Sequence, residues 1–173
     1  MNSEKKRKLA TMWLDGCSGC HMSFLDIDER LISLLDAVDI VYSPLVDAKE
    51  YPENVDICLV EGAVASEEDV RKLKIVRMRT TTLIALGDCS VTGNLPSMRN
   101  PIGVKALIDR IYDGFQPGEV PTLLPQATPI HRHVKVDLYV PGCPPSADAI
   151  FAVLTAMLAG RQPDVLAVTR FGA

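Results

Sequence analysis

Four cysteines in this 173-residue chain share one layout: an apolar run, a turn containing glycine, then the thiol. Cys17 and Cys20 sit in LDGCSGC, Cys89 in LGDC and Cys143 in VPGC. A thiolate serves redox exchange or binds a soft metal, and a reducing compartment removes the disulfide option. Four thiolates match a [4Fe–4S] cluster. They also match a structural zinc ion, although zinc more often takes two close pairs, whereas Cys89 and Cys143 each stand alone. Unliganded thiols and a thioredoxin-like Cys17–Cys20 pair stay open as well. The glycines let the backbone turn tightly and bring amide N–H groups against cluster sulfur, and Pro144 stiffens the chain directly after Cys143. Cys58 differs. It lies inside the apolar run VDICLV with no turn glycine beside it, and reads as a small buried hydrophobe. With no second ligand set left over, the chain holds one cluster at most.

Cysteines so far apart in sequence meet only if the fold collects strand ends. Leu9–Leu14, Val38–Tyr42, Val55–Val60, Thr82–Leu86 and Lys135–Val140 read as strands. Phe24, Ile27, Leu31, Leu34 and Leu35 give a helical face over residues 21–37. Ser66, with Asp69 three residues on, starts a helix to about Arg79, Gly103–Tyr112 is helical, and Ser146 caps a closing helix over 147–159. Residues 90–101 read as loop and 113–122 as a Gly/Pro-rich connection. Strands alternating with helices predict a flavodoxin-like, doubly wound α/β fold, a mostly parallel sheet with helices on both faces. In such a sheet the loops at the carboxyl ends of the strands gather at one edge, where ligands bind. With no repeat or linker in view, residues 1–173 read as a single iron–sulfur domain, of which 1–8 form a basic, flexible N-terminal tail.

The net charge of -4 gives no reason to expect nucleic acid or an anionic membrane as partner. No apolar run reaches the roughly 18 residues of a membrane span. The N-terminus has neither a secretory apolar stretch nor a twin-arginine pair, so the expected compartment is the cytoplasm, without direct membrane insertion.

LDGCSGCHMSFLDIDERL, GDCSVTGNLPSMRN and PGCPP together resemble the small subunit of [NiFe] hydrogenases, itself similar to the cluster-bearing subunit of respiratory complex I. The similarity covers essentially the whole chain and is strongest to the soluble, bidirectional, NAD-reducing group. Two departures narrow it. Complex-I-type subunits carry adjacent cysteines at the first motif, where here Ser18-Gly19 intervenes. Membrane-bound uptake hydrogenases carry a twin-arginine leader and a C-terminal extension for two further clusters, neither of which is seen before Ala173. The resemblance implies a minimal small subunit in which Cys17, Cys20, Cys89 and Cys143 bind the proximal [4Fe–4S] cluster. It also implies a large subunit with the Ni–Fe centre, iron–sulfur/flavin diaphorase subunits with FMN and NAD, and no catalysis by this chain alone. The alternative host is a ferredoxin- or quinone-linked energy-converting hydrogenase or a complex-I-like enzyme. The alternative of another class is a zinc-stabilised binding module.

Glu61 closes a strand in the motif EGA, and similar hydrogenase subunits carry Glu-Gly there, which implies a proton-path or interface role beside the plain reading of a solvated carboxylate. His21 reads as a contact to the cluster or the large subunit, or as a polar residue at a helix start. Asp15 is expected to act on the cluster electrostatically or to cap the next helix. His131 and His133 have a spacing that chelates metals, an exposed edge being the plainer reading. The loop from Asn94 to Asn100 is expected at the large subunit. A phosphate-binding Thr/Ser/Gly run is missing after the first strand, and fold analogy alone does not decide on a flavin, which is left open.

Overall fold

The runs LATM (9–12), ICLV (57–60) and LIAL (83–86) are apolar at nearly every position. Successive strand side chains point to opposite faces, so these strands need cover on both sides. The computed structural model describes residues 6–113, 118 and 120–169. The chain runs β1 (Arg7–Trp13), α1 (Gly19–Leu25), α2 (Glu29–Leu35), β2 (Val38–Tyr42), β3 (Val55–Glu61), β4 (Val64–Ser66), α3 (Glu67–Arg79), β5 (Thr80–Leu86), α4 (Asp88–Thr92), α5 (Asn94–Ser97) and α6 (Val104–Tyr112). It continues through β6 (Leu123–Thr128), a 3-10 turn (Ile130–Arg132), β7 (Leu138–Val140), α7 (Ala147–Leu158) and α8 (Val165–Val168).

Five strands form one parallel sheet in the order β2-β1-β3-β5-β7. This is the expected flavodoxin-like order, with its switch point between β1 and β3. On one face Leu9, Ile57, Leu59, Ile84 and Leu86 pack against Phe24, Ile27 and Leu34 and against Ile150, Val153 and Leu154 of α7. On the other, Ala10, Met12, Cys58, Val60, Leu83 and Ala85 meet Leu73 and Val76 of α3 and Ile130. Cys58 is fully buried there, and burial pushes its thiol up to about 12. No described helix is long and apolar enough to cross a membrane.

Several elements differ from the sequence expectations. The helix expected over 21–37 breaks into α1 and α2 at Asp28, whose φ of 63° and ψ of -133° lie outside the helical region. The break lets Ile27 plug the core. The strand β1 begins at Arg7, so Arg7 and Lys8, expected in the tail, are strand residues: the Lys8 N–H donates to Asp56 Oδ2 at 2.7 Å. Residues 1–5 of that tail lie outside the described residues, as do 114–117 and 119 of the expected connection. The loop at 90–101 contains α5 and the end of α4. The strand β6 went unexpected because Pro125 argues against a strand; it pairs antiparallel with β4 outside the main sheet, where a missing donor is tolerated. Ser66 and Asp69 do form the expected capping box of α3.

The last sheet strand, β7, is only three residues long, and side-chain anchors extend its hold on β5. Asp137, just before it, donates its N–H to Leu83 O at 2.9 Å and accepts the Leu83 N–H on Oδ2 at 2.9 Å. Burial works to raise the Asp137 pKa, but the Leu83 N–H and the Arg77 guanidinium outweigh it and hold the carboxyl below its ordinary 3.8. A depressed folded-state pKa contributes stability above the unfolded pKa, which is lost as pH falls through the folded one. Asp137→Asn should therefore lower stability at neutral pH by about 1–2 kcal/mol in urea denaturation, and its gap from the wild type should close as pH drops below 3.8.

Candidate metal centre

Strand ends deliver the cysteines to one edge. After β1, Asp15 bridges to Ala63 beyond β3, with N–H···O contacts of 3.1 and 2.7 Å, and the chain then turns through Cys17 into α1, which carries Cys20. After β5, Gly87 leads into Cys89 in the first turn of α4. After β7 come Pro141, Gly142 and Cys143, whose peptide bond to Pro144 is cis. The three segments are tied to one another. The Asp88 N–H donates to Gly142 O at 2.8 Å, while Asp88 Oδ1 accepts the Gly142 N–H at 2.7 Å. The Gly87 N–H donates to Val140 O at 2.8 Å, and the buried Ser23 hydroxyl donates to Pro145 O at 2.5 Å. Gly87 has φ +82°, and a Cβ built on it would stand 2.2 Å from Cys20 Sγ. Backbone approach to that sulfur needs glycine.

Cys20 and Cys89 are buried, whereas Cys17 and Cys143 are exposed. Burial pushes the Cys20 thiol far up, and negative charge at Glu61, Cys89, Cys17 and Cys143 pushes it further. Burial likewise lifts Cys89 to about 11, opposed by a backbone hydrogen bond from Leu95 and reinforced by Cys17, Cys143 and Glu61. The buried Cys20 and Cys89 thus feel negative charge at the other sulfurs, and their thiolates need cations beside them. Asn94 Nδ2 donates to Cys143 Sγ at 3.4 Å. Among the described residues no three or more His, Cys, Asp or Glu side chains converge tightly enough to hold a single metal ion. Four soft sulfurs on a glycine-lined wall, with N–H donors directed at two of them, fit an iron–sulfur cluster.

Glu61 is not solvated: at 2% exposure it lies beneath this wall and accepts both the His21 backbone N–H, at 2.9 Å, and a hydrogen bond with His21 Nδ1. His21 is itself buried and stacks on Trp13, with its Nε2 lacking a partner among the described residues. Asp15 does not cap α1, whose N-cap is Ser18; burial and the Asp69 carboxylate raise its pKa against the pull of Arg99. His131 and His133, whose spacing allows chelation though an exposed edge or interface is the plainer reading, have separate partners, His133 with Thr128 Oγ1 and His131 with the edge of Tyr139. In the loop after Cys89, Arg99 and Asn100 turn inward. Arg99 donates to Ala65 O and Leu124 O, and Asn100 exchanges two 2.8 Å bonds with the Ala127 backbone, leaving Leu95 and Met98 exposed. Sequence reasoning missed Asp88 and, having placed Asn94 only in a loop expected at the large subunit, missed its bond to Cys143; the one available signal was a polar residue immediately before or shortly after a strand-end cysteine.

Gly103 also has φ +82° but has nothing within 4 Å of its would-be Cβ. Both Gly87→Ala and Gly103→Ala should carry a backbone penalty of about 1–3 kcal/mol. Gly87→Ala should cost distinctly more in chemical denaturation, because Cys20 must give way; equal costs would contradict the close approach.

Residues 17–157 match the family described as NADH ubiquinone oxidoreductase, 20 Kd subunit. The chain is 41% identical over 177 residues to the NAD-reducing hydrogenase HoxS subunit delta of Cupriavidus necator, covering 95% of this chain and 84% of that one. It is 36% identical to a subunit of the F420-non-reducing hydrogenase of Methanocaldococcus jannaschii, covering 91% of this chain but spanning only 58% of that relative. A solved chain of an NAD+-reducing [NiFe]-hydrogenase in the H2-reduced state superposes with a TM-score of 0.91 at 41% identity, covering 96% of this chain and 99% of that one. A chain of the Dm. baculatum [NiFeSe]-hydrogenase, at 21% identity and a TM-score of 0.61 over 90% of this chain and 63% of its own, shares the fold. The chain belongs to the NADH ubiquinone oxidoreductase 20 Kd subunit family, and within it to the small subunits of NAD-reducing [NiFe] hydrogenases.

Proposed function

We propose that this chain is the electron-transfer small subunit of a cytoplasmic, heteromeric [NiFe] hydrogenase catalysing H2 + NAD+ = H+ + NADH, and that Cys17, Cys20, Cys89 and Cys143 hold its proximal [4Fe–4S] cluster. The observation that carries this reading is the convergence of three strand-end cysteine motifs on one sheet edge, cross-tied by Asp88–Gly142 and Ser23–Pro145. The 41% identity to the HoxS delta subunit and the TM-score of 0.91 to a chain of an NAD+-reducing enzyme favour this host over a ferredoxin- or quinone-linked one.

When bound, the cluster supplies one-electron relay between the Ni–Fe centre of the large subunit and the flavin and iron–sulfur centres of the diaphorase subunits. The protein supplies position and environment. Cys20 and Cys89 form a buried back wall that excludes water, and Glu61 fixes the start of α1 by holding His21 through backbone and ring. Cys17 and Cys143 face outward, the side a partner subunit would close. Exposed Met22, Leu95 and Met98 lie on the chain segments that follow Cys20 and Cys89, and supply apolar surface for such a contact.

Anaerobic co-purification with the large subunit should yield a brown chain with about four iron atoms and no zinc. Zinc without iron would make it the zinc-stabilised module instead. Alanine at Cys17, Cys20, Cys89 or Cys143 should abolish the cluster signal or convert it to a three-iron form, while Cys58→Ala keeps full iron. The reverse pattern defeats the ligand assignment. Expressed alone, the chain should show no hydrogen uptake; uptake without any large subunit would refute the division of labour.

A further inference from the structure

The segment Gly93-Asn94-Leu95 reaches two of the four sulfurs. The Asn94 side-chain amide donates to Cys143 Sγ at 3.4 Å, a normal approach for so large an acceptor, and the Leu95 backbone serves Cys89. The turn itself uses other atoms of Asn94. Its backbone N–H donates to Thr92 Oγ1 at 3.4 Å, and its carbonyl accepts the Ser97 hydroxyl at 2.7 Å. Asn94 also sits at φ +26°, next to Gly93 at +90°, a backbone region in which asparagine is among the few non-glycine residues found often. The turn thus sets the direction of the side chain without consuming its amide.

We propose that Asn94 tunes the reduction potential of the cluster by donating a hydrogen bond to the Cys143 thiolate, which makes it a positioning residue for electron transfer rather than a turn residue alone. This rests on the cluster assignment above. Reduction adds a negative charge that spreads onto the ligand sulfurs, so a donor aimed at one of them stabilises the reduced form and raises the potential. Loss of the donor lowers it. Mere loosening of the loop acts in the opposite direction, because admitted water also stabilises the more negative form. The sign of the shift therefore separates tuning from packing.

The test uses the complex co-purified with its large subunit, measuring iron content and an EPR-monitored redox titration of the proximal cluster. Asn94→Gly keeps the backbone conformation and removes the donor. With full iron, its reduced-to-oxidised ratio at a fixed ambient potential should fall several-fold, and a tenfold fall corresponds to a negative shift of about 59 mV for one electron. Asn94→Leu, close in size and uncharged but without a donor, should shift in the same direction; it carries the measurement if Asn94→Gly loses iron. An unchanged or more positive midpoint in an iron-replete variant overturns the role of Asn94 while leaving the cluster in place. A wild-type chain without iron overturns the cluster assignment itself, and this proposal with it.

Discussion

Asp88 grips Gly142 twice, once with its backbone N–H and once with its carboxylate, and the geometry of the candidate centre depends on that grip. The hydrophobic sheet places three strand ends on one edge, but nonpolar packing is non-directional and does not fix loops beyond those ends. Registration comes from hydrogen bonds. Asp88 sets the Cys89 segment against the Cys143 segment, and Ser23 sets α1 against the same loop. Asp137 performs the equivalent two-point grip on Leu83 at the other end of β7. A three-residue strand is thereby pinned at both ends, and Cys143 inherits the rigidity of the sheet.

The site is organised against its own electrostatic preference. Two thiols are buried, a buried carboxylate lies nearby, and each thiolate discourages the next. Burying such groups without compensating charge costs free energy. The surplus comes from elsewhere in the fold, where both faces of β1, β3 and β5 are fully packed. At the edge the buried Ser90 hydroxyl is hydrogen-bonded to the Leu86 and Gly87 carbonyls, which keeps that part of the wall ordered.

Much of this was legible in the sequence because the sheet is apolar on both faces. Uninterrupted runs such as ICLV announce a buried parallel strand, and Ser66 with Asp69 announces a helix start. The four strand-end cysteines stood apart from Cys58 by their turn glycines alone. What escaped was set by tertiary context. No local pattern distinguishes a helix through residues 21–37 from one broken at Asp28 so that Ile27 enters the core. Pro125 speaks against β6 unless the strand is known to pair away from the main sheet. The solvated alternative for Glu61 fails because its burial depends on His21, forty residues earlier. Asp88 and Asn94 act on groups about fifty residues away, and spacing carries no trace of that.

The unequal exposure of the cysteines bears on the chronology of assembly. A cradle with Cys20 and Cys89 at its back and Cys17 and Cys143 at its mouth has a single direction of loading. The back is built by β5, α1 and their ties to the β7 loop, elements that also complete the core. On the reading proposed above, the partner subunit covers that mouth, so an inorganic core would have to be inserted before docking.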